Sequence, residues 1–178
     1  VYKRQVMCRT IEFKEDRLLI LDQTRLPQET EILELTTTEQ VIEAIRSLRV
    51  RGAPPIGVAG AYAMVLASRA FQSNDIMVIR SGLREIAQNI ITARPTAVNL
   101  KWAIERLIRV QESSNTYTEV YSAFLSEAEL IQYEDETANR EMGAHGAALI
   151  PVGSSVLTHC NTGALATSNH GTAFGVIR

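Results

Sequence analysis

The chain has 178 residues, 46% of them apolar and 21% charged, the balance of a soluble globular protein able to bury one sizeable core. Eighteen basic and twenty acidic residues leave a formal charge of −2, which excludes the electrostatic footprint of a nucleic-acid binder. No apolar run approaches the roughly 20 residues that span a bilayer. Nothing at the start reads as a secretory signal. Two cysteines, Cys8 and Cys160, are too few for a disulfide framework or a metal cluster. The expectation is a cytoplasmic protein in a reducing compartment, with no metal and no membrane partner.

In chain order, Val1 to Gln5 carry no pattern, and Cys8 has no context that makes it more than inert. Thr10-Ile11-Glu12-Phe13 alternates, Lys14-Glu15-Asp16-Arg17 is a polar turn, and Leu18-Leu19-Ile20-Leu21 is a strand, which together predict a β-hairpin. Pro27 breaks the run. Thr36-Thr37-Thr38 offers helix caps, with Glu39 and Gln40 three residues on from Thr36 and Thr37 as a capping box. Val41, Ile42, Ile45 and Leu48 then form one apolar face of a helix ending near Arg51-Gly52.

Pro54-Pro55 restarts a helix, because proline is tolerated in a first turn whose amides have no partner. Gly57, Gly60 and Ala61 lay a small-residue stripe on it. Helix glycine costs about 1 kcal/mol relative to alanine, so two of them predict close approach of another backbone. A third helix spans about 75–93, with Ile79, Leu83, Ile86 and Ile90 inward. After Pro95 a fourth runs from about Thr96 through Arg109, with Val98 and Trp102 assigned to the core, and a longer charged helix covers about 118–148. Pro151-Val152-Gly153-Ser154 is a turn. Ser155-Val156-Leu157-Thr158 reads as a buried strand opening into the Cys160 loop, and Gly171 to Gly175 as a helix start.

The order is α/β: a β-hairpin and helical bundle over 1–148, then over 149–178 the start of a parallel-sheet domain. One parallel strand forms no sheet, so its neighbours are expected beyond Arg178.

Three constellations carry chemistry. In Arg51-Gly52-Ala53-Pro54-Pro55 a fixed cation and a permissive turn precede a helix start, where free amides, helix dipole and guanidinium favour an anion. The plainer alternative is a helix C-cap glycine followed by a proline-started helix, with Arg51 solvated. Ala93-Arg94-Pro95-Thr96 repeats the theme of arginine ahead of proline at a helix start, or is simply a helix–helix corner. In Thr158-His159-Cys160-Asn161-Thr162-Gly163, Cys160 is either a small buried hydrophobe or a thiol placed for acid–base or nucleophilic work beyond a strand end. His159 alternates to the other strand face, His145 is structural, and His170 lies in a turn before a helix.

Arg51-Gly52-Ala53-Pro54-Pro55-Ile56-Gly57, Arg94-Pro95-Thr96-Ala97-Val98-Asn99-Leu100 and His159-Cys160-Asn161-Thr162-Gly163-Ala164-Leu165-Ala166-Thr167 resemble, in order and separation, three signatures of the methylthioribose-1-phosphate isomerase family. Leu21-Asp22-Gln23-Thr24 and the closing Gly171 to Arg178 are similar to it as well, so the likeness covers the chain from about Ile11. The resemblance implies conversion of 5-methylthioribose 1-phosphate to 5-methylthioribulose 1-phosphate in methionine salvage, without metal or organic cofactor. It implies that Arg51, Gly52, Ala53 and Arg94 hold the sugar-phosphate substrate. It further implies that Cys160 is catalytic, paired with an aspartate from a later Rossmann-like, C-terminal domain through which a homodimer forms. The sequence departs from the family at Pro55, where alanine is usual, and at Ser168-Asn169-His170.

Such an isomerisation shifts a hydrogen between adjacent carbons and needs a base and stabilisation of charge on oxygen. Hydride and enediol routes, and thiol and thiolate forms of Cys160, stay open. The rivals are a ribose-1,5-bisphosphate isomerase of similar fold and a non-catalytic regulatory subunit of the translation-initiation guanine-nucleotide exchange factor. By itself the 178-residue chain is expected to lack turnover.

Overall fold

The computed structural model describes residues 9–71 and 73–178; Cys8 and the segment before it lie outside them. Strands β1 (Ile11–Lys14) and β2 (Arg17–Leu21) form the expected hairpin, with Ile11 opposite Ile20 and Lys14 opposite Arg17. Its two-residue turn places Glu15 and Asp16 at φ 50 and 59. Two consecutive left-handed residues match the twist of the flanking strands.

A third strand, β3 (Ile32–Leu35), pairs antiparallel with β2 in the sheet order β1-β2-β3 and was not anticipated. It is four residues long, and its Glu34 faces Arg17 across the sheet at 2.8 Å. So short a segment carries too little alternation to announce itself.

Helix α1 (Thr38–Arg46) starts with the expected box: Thr37 accepts from the Gln40 amide while the Gln40 side chain accepts from the Thr37 amide. It ends five residues earlier than the periodicity suggests. Leu48 adopts φ 62, so it leaves the helical path and is exposed instead of completing the apolar face. Helix α2 (Ala53–Ala70) is buried continuously from Pro55 to Ser68. It packs against α1, α3, α4, α5 and the sheet, as a helix apolar on every side must. The stripe works as expected: a Cβ on Gly57 would lie 2.9 Å from the Asn99 carbonyl oxygen.

Helices α3 (Ile76–Ile91), α4 (Val98–Val110) and α5 (Tyr117–Ala147) complete the bundle. In α4 the inward face is Leu100, Ala103, Ile104 and Leu107. Val98 and Trp102 are 77% and 43% exposed, not core. Spacing identifies a shared face but not which face looks inward, and Trp102 instead lies beneath the Arg106 guanidinium, 4.9 Å from its ring centre.

The chain then folds back over α5 and α2, ending in α6 (Ala173–Ile177). Residues 155–158 form no strand; Val156 and Leu157 are 48% and 97% exposed. A strand exists only with a hydrogen-bonding neighbour, and among the described residues this segment has none. No helix among them is long and apolar enough to cross a membrane.

Candidate active site

The Arg51 corner is shaped by two left-handed residues. Leu48 turns the chain out of α1, and Gly52, at φ 87, turns it into α2 as N-cap. Arg51 is exposed and its Nε donates to the Leu48 carbonyl at 3.2 Å. The corner is anchored from below by Arg49. Its backbone carbonyl accepts from the Gln23 amide at 3.0 Å, and its guanidinium makes a short ion pair with Asp22. The Asp22 side chain is fully buried at the end of β2 and also accepts the amide and hydroxyl of Thr24 at 2.9 and 2.6 Å. Burial alone would raise the Asp22 carboxyl, but the two Thr24 bonds and Arg49 outweigh it and hold it below the usual carboxylate range.

The Cys160 loop is built without regular strands. Cys160 is exposed, its thiol is free, and its backbone sits at φ 69. A non-glycine residue there is uncommon and is held only when its surroundings over-determine it. Those surroundings are visible. The Thr162 carbonyl accepts the amides of Thr172 and Phe174 at 2.9 and 3.2 Å, closing the loop on the start of α6. Gly171, at φ 90, packs so closely that a Cβ would lie 2.9 Å from the Gly163 carbonyl carbon. Thr158 and Thr162 share a hydroxyl contact at 3.2 Å.

Tertiary structure brings the separate motifs together through glycine. A Cβ on Gly52 would lie 2.5 Å from the carbonyl oxygen of Ala166 in the Cys160 loop. The Arg94 motif joins at Gly57, against Asn99. Arg94 does not stand directly at the start of α4: the Ala97 amide donates to its carbonyl at 2.9 Å, inserting a turn before the helix begins at Val98. The residue before a proline resists helical conformation, and here the proline turn stays outside the helix. Arg94 is half-buried and has no ion pair among the described residues. Ala53 is the first residue of α2 and is exposed.

Several supports escaped sequence reasoning. Gln23 donates to the Leu165 carbonyl at 3.1 Å, Thr10 to the carbonyls of Thr167 and Ser168, and Asp135 accepts from the Ser168 amide at 2.7 Å. Only Asp22 carried a signal, as an aspartate two residues before a threonine at a strand end, the pattern of a side chain that bonds the backbone ahead of it. His170 wedges between α5 and α6, its Nε2 lying 2.9 and 3.1 Å from where Cβ atoms on Gly143 and Gly175 would stand. Among the described residues no group of three or more His, Cys, Asp or Glu is placed to hold a metal ion.

These features define a mixed α/β protein in which a glycine-cornered helix start abuts an exposed-thiol loop. The chain belongs to the initiation factor 2 subunit (IF-2B) family, whose model matches residues 49–178. It is 43% identical over 171 residues to methylthioribose-1-phosphate isomerase of Carboxydothermus hydrogenoformans, covering 95% of this chain and 49% of that protein. It is 49% identical over 161 residues to the enzyme of that name from Xylella fastidiosa, covering 90% and 45%. The fold matches the crystal structure of 5-methylthioribose 1-phosphate isomerase from Pyrococcus horikoshii with TM-score 0.91 at 34% identity, over 97% of this chain and 49% of that one. It also matches translation initiation factor eIF-2B, subunit delta, from A. fulgidus with TM-score 0.88 at 41% identity, over 96% and 50%. The chain thus spans about half the length of the curated relatives it matches.

Proposed function

We propose that the protein is an aldose–ketose isomerase converting 5-methylthioribose 1-phosphate to 5-methylthioribulose 1-phosphate. The observation that carries this reading is the seating of the Gly52 corner directly on the Cys160 loop. It puts an anion-favouring helix start, with Arg51 beside it, against the loop that carries an exposed thiol in a left-handed backbone. Relatives 43% and 49% identical to this chain bear the isomerase name.

In this reading Arg51, Gly52, Ala53 and Arg94 hold the substrate, with Arg51 and Arg94 anchoring its phosphate. Guanidinium groups and helix-start amides suit a dianionic oxygen cluster. Overall, the bond from C1 to the ring oxygen opens, C1 gains a hydrogen as C2 gives one up, and the C2 hydroxyl becomes the carbonyl while a proton ends on the freed ring oxygen. Cys160 belongs to the group that manages this transfer. Its aspartate partner is expected from the half of the relatives that this chain does not span, in a Rossmann-like domain that begins over 149–178. The working protein is a cytoplasmic homodimer assembled through that domain.

The test is an assay of the intact protein with 5-methylthioribose 1-phosphate and with ribose 1,5-bisphosphate. Turnover of the first, lowered at least about 100-fold by Cys160→Ser, is the expected result. Near wild-type turnover by that variant overturns the role of Cys160, and preference for the bisphosphate overturns the substrate. The likeness to the A. fulgidus initiation factor favours one second reading, a non-catalytic regulatory subunit. Absence of turnover on both sugars would select it.

A further inference from the structure

The 165–168 segment, on the α6 side of the Cys160 loop, is gripped on its main chain by groups from two elements. From α5, Asp135 Oδ2 accepts the Ser168 amide at 2.7 Å. Its other oxygen, Oδ1, accepts from Asn139 Nδ2 at 2.9 Å, and the same nitrogen donates to the Asp135 carbonyl at 2.7 Å. Asn139 is buried, so the carboxylate is oriented before it meets the loop. From the sheet side, the buried Thr10 hydroxyl, just ahead of β1, lies 3.2 and 3.1 Å from the carbonyls of Thr167 and Ser168. The Thr167 hydroxyl in turn accepts the Gly171 amide at 2.9 Å.

We propose that Asp135 is a positioning residue for the Cys160 loop, acting with Thr10 as a two-point clamp on Thr167-Ser168. The proposal rests on the isomerase reading for its catalytic consequence, but the clamp itself does not. Both Asp135 oxygens are occupied, one by the loop and one by Asn139. An asparagine there presents a single acceptor oxygen, so one of the two bonds must be lost. Besides its contact with Ala166, the anion corner has supports of its own in Asp22–Arg49 and α2. Loosening the clamp at Thr167-Ser168 therefore displaces the thiol more than the phosphate contacts, which keep those supports.

Asp135→Asn and Thr10→Val are compared with Thr10→Ser, which keeps the hydroxyl, and with Ile104→Val, a core change far along the chain from the clamp. Deuterium exchange is followed in peptides covering 158–172, together with kcat and KM of the intact protein on 5-methylthioribose 1-phosphate. The expected result is exchange about tenfold faster over 158–172 in Asp135→Asn and Thr10→Val, with α2 and α3 unchanged. Alongside it, kcat falls about tenfold or more with KM within about twofold, and Thr10→Ser restores both. Ile104→Val is expected to lower overall stability without either signature. Unchanged loop exchange overturns the clamp; so does faster exchange throughout the molecule. Faster loop exchange with unaltered kcat overturns the positioning role. If the wild-type protein turns over neither sugar, the isomerase reading falls, and exchange over 158–172 alone decides the clamp.

Discussion

Gly52 and Ala166, 114 positions apart in the chain, approach so closely that a Cβ on Gly52 would lie 2.5 Å from the Ala166 oxygen and 2.9 Å from its Cα. The atoms met are backbone, so no rotamer change relieves the contact. Gly52 also needs φ 87 to start α2. Both demands, space and handedness, are met by glycine alone.

Gly52→Ala is therefore expected to destabilise the protein by at least about 1–3 kcal/mol, the scale of a strained backbone. It should also part the Arg51 corner from the Cys160 loop. Denaturant unfolding measures the first effect, and sugar-phosphate binding the second. A variant as stable as the parent would show that the contact is not required.

Gly57→Ala and Gly60→Ala separate two kinds of close approach. At Gly60 the nearest atom is the Leu100 Cδ1 at 2.3 Å, the end of a side chain; at Gly57 it is the Asn99 carbonyl oxygen at 2.9 Å, part of α4 itself. A methyl tip can turn away, whereas relieving Gly57→Ala means moving the helix. We expect Gly57→Ala to cost more, by about 1 kcal/mol on the scale of overpacking, although its contact is the longer. Thermal unfolding of the pair checks the order.

The Asp22–Arg49 pair should appear in the acid limb of stability. The folded Asp22 carboxyl titrates below its unfolded counterpart, so its contribution is complete above the ordinary value of about 3.9. It is lost as the pH falls through the lower folded value, because the unfolded chain takes up the proton first. Arg49→Met, which leaves a buried carboxylate without its cation, is expected to cost about 3 kcal/mol at neutral pH. Unfolding free energies over an acid pH series measure both, and Asp22→Asn should flatten the same limb.

Tyr62 is expected to shape the alkaline limb of stability. Its hydroxyl donates to Gln132 Oε1 at 2.8 Å, and burial, with Glu129 and Glu136 adding to it, drives its phenol far above the ordinary value of about 10. Tyr121 rises to about 12 through burial and its bond to Asp16. A raised folded value means stability is intact below about pH 10 and drains away as the pH climbs. Phenolate absorbance should show Tyr62 ionising last, together with unfolding. Tyr62→Phe should cost about 1 kcal/mol at neutral pH and soften the alkaline loss.

Much of the fold was legible because its signals are local. The hairpin shows in the alternation of Thr10 to Phe13 around a polar turn, and the start of α1 shows in the Thr37–Gln40 box. The stripe at Gly57 announces a close neighbour because glycine inside a helix is costly without one. Less local features misled. Val98 and Trp102 share a face that turned out to look outward, and Leu48 lies past a left-handed turn that ended α1 early. The four residues of β3 are too few for alternation to register.

By itself, the sequence determined the helical and hairpin segments, the three motif-bearing corners, and the residues worth testing, Arg51, Gly52, Ala53, Arg94 and Cys160. Only the tertiary structure decided that Gly52 sits on Ala166 and Gly57 on Asn99, that Cys160 turns through φ 69, and that Asp22, Gln23, Thr10 and Asp135 hold the corner and the loop. Periodicity and capping act over a few residues and can be read along the chain. Contacts between residues from about thirty to more than a hundred positions apart depend on how whole helices pack, and no local pattern encodes them.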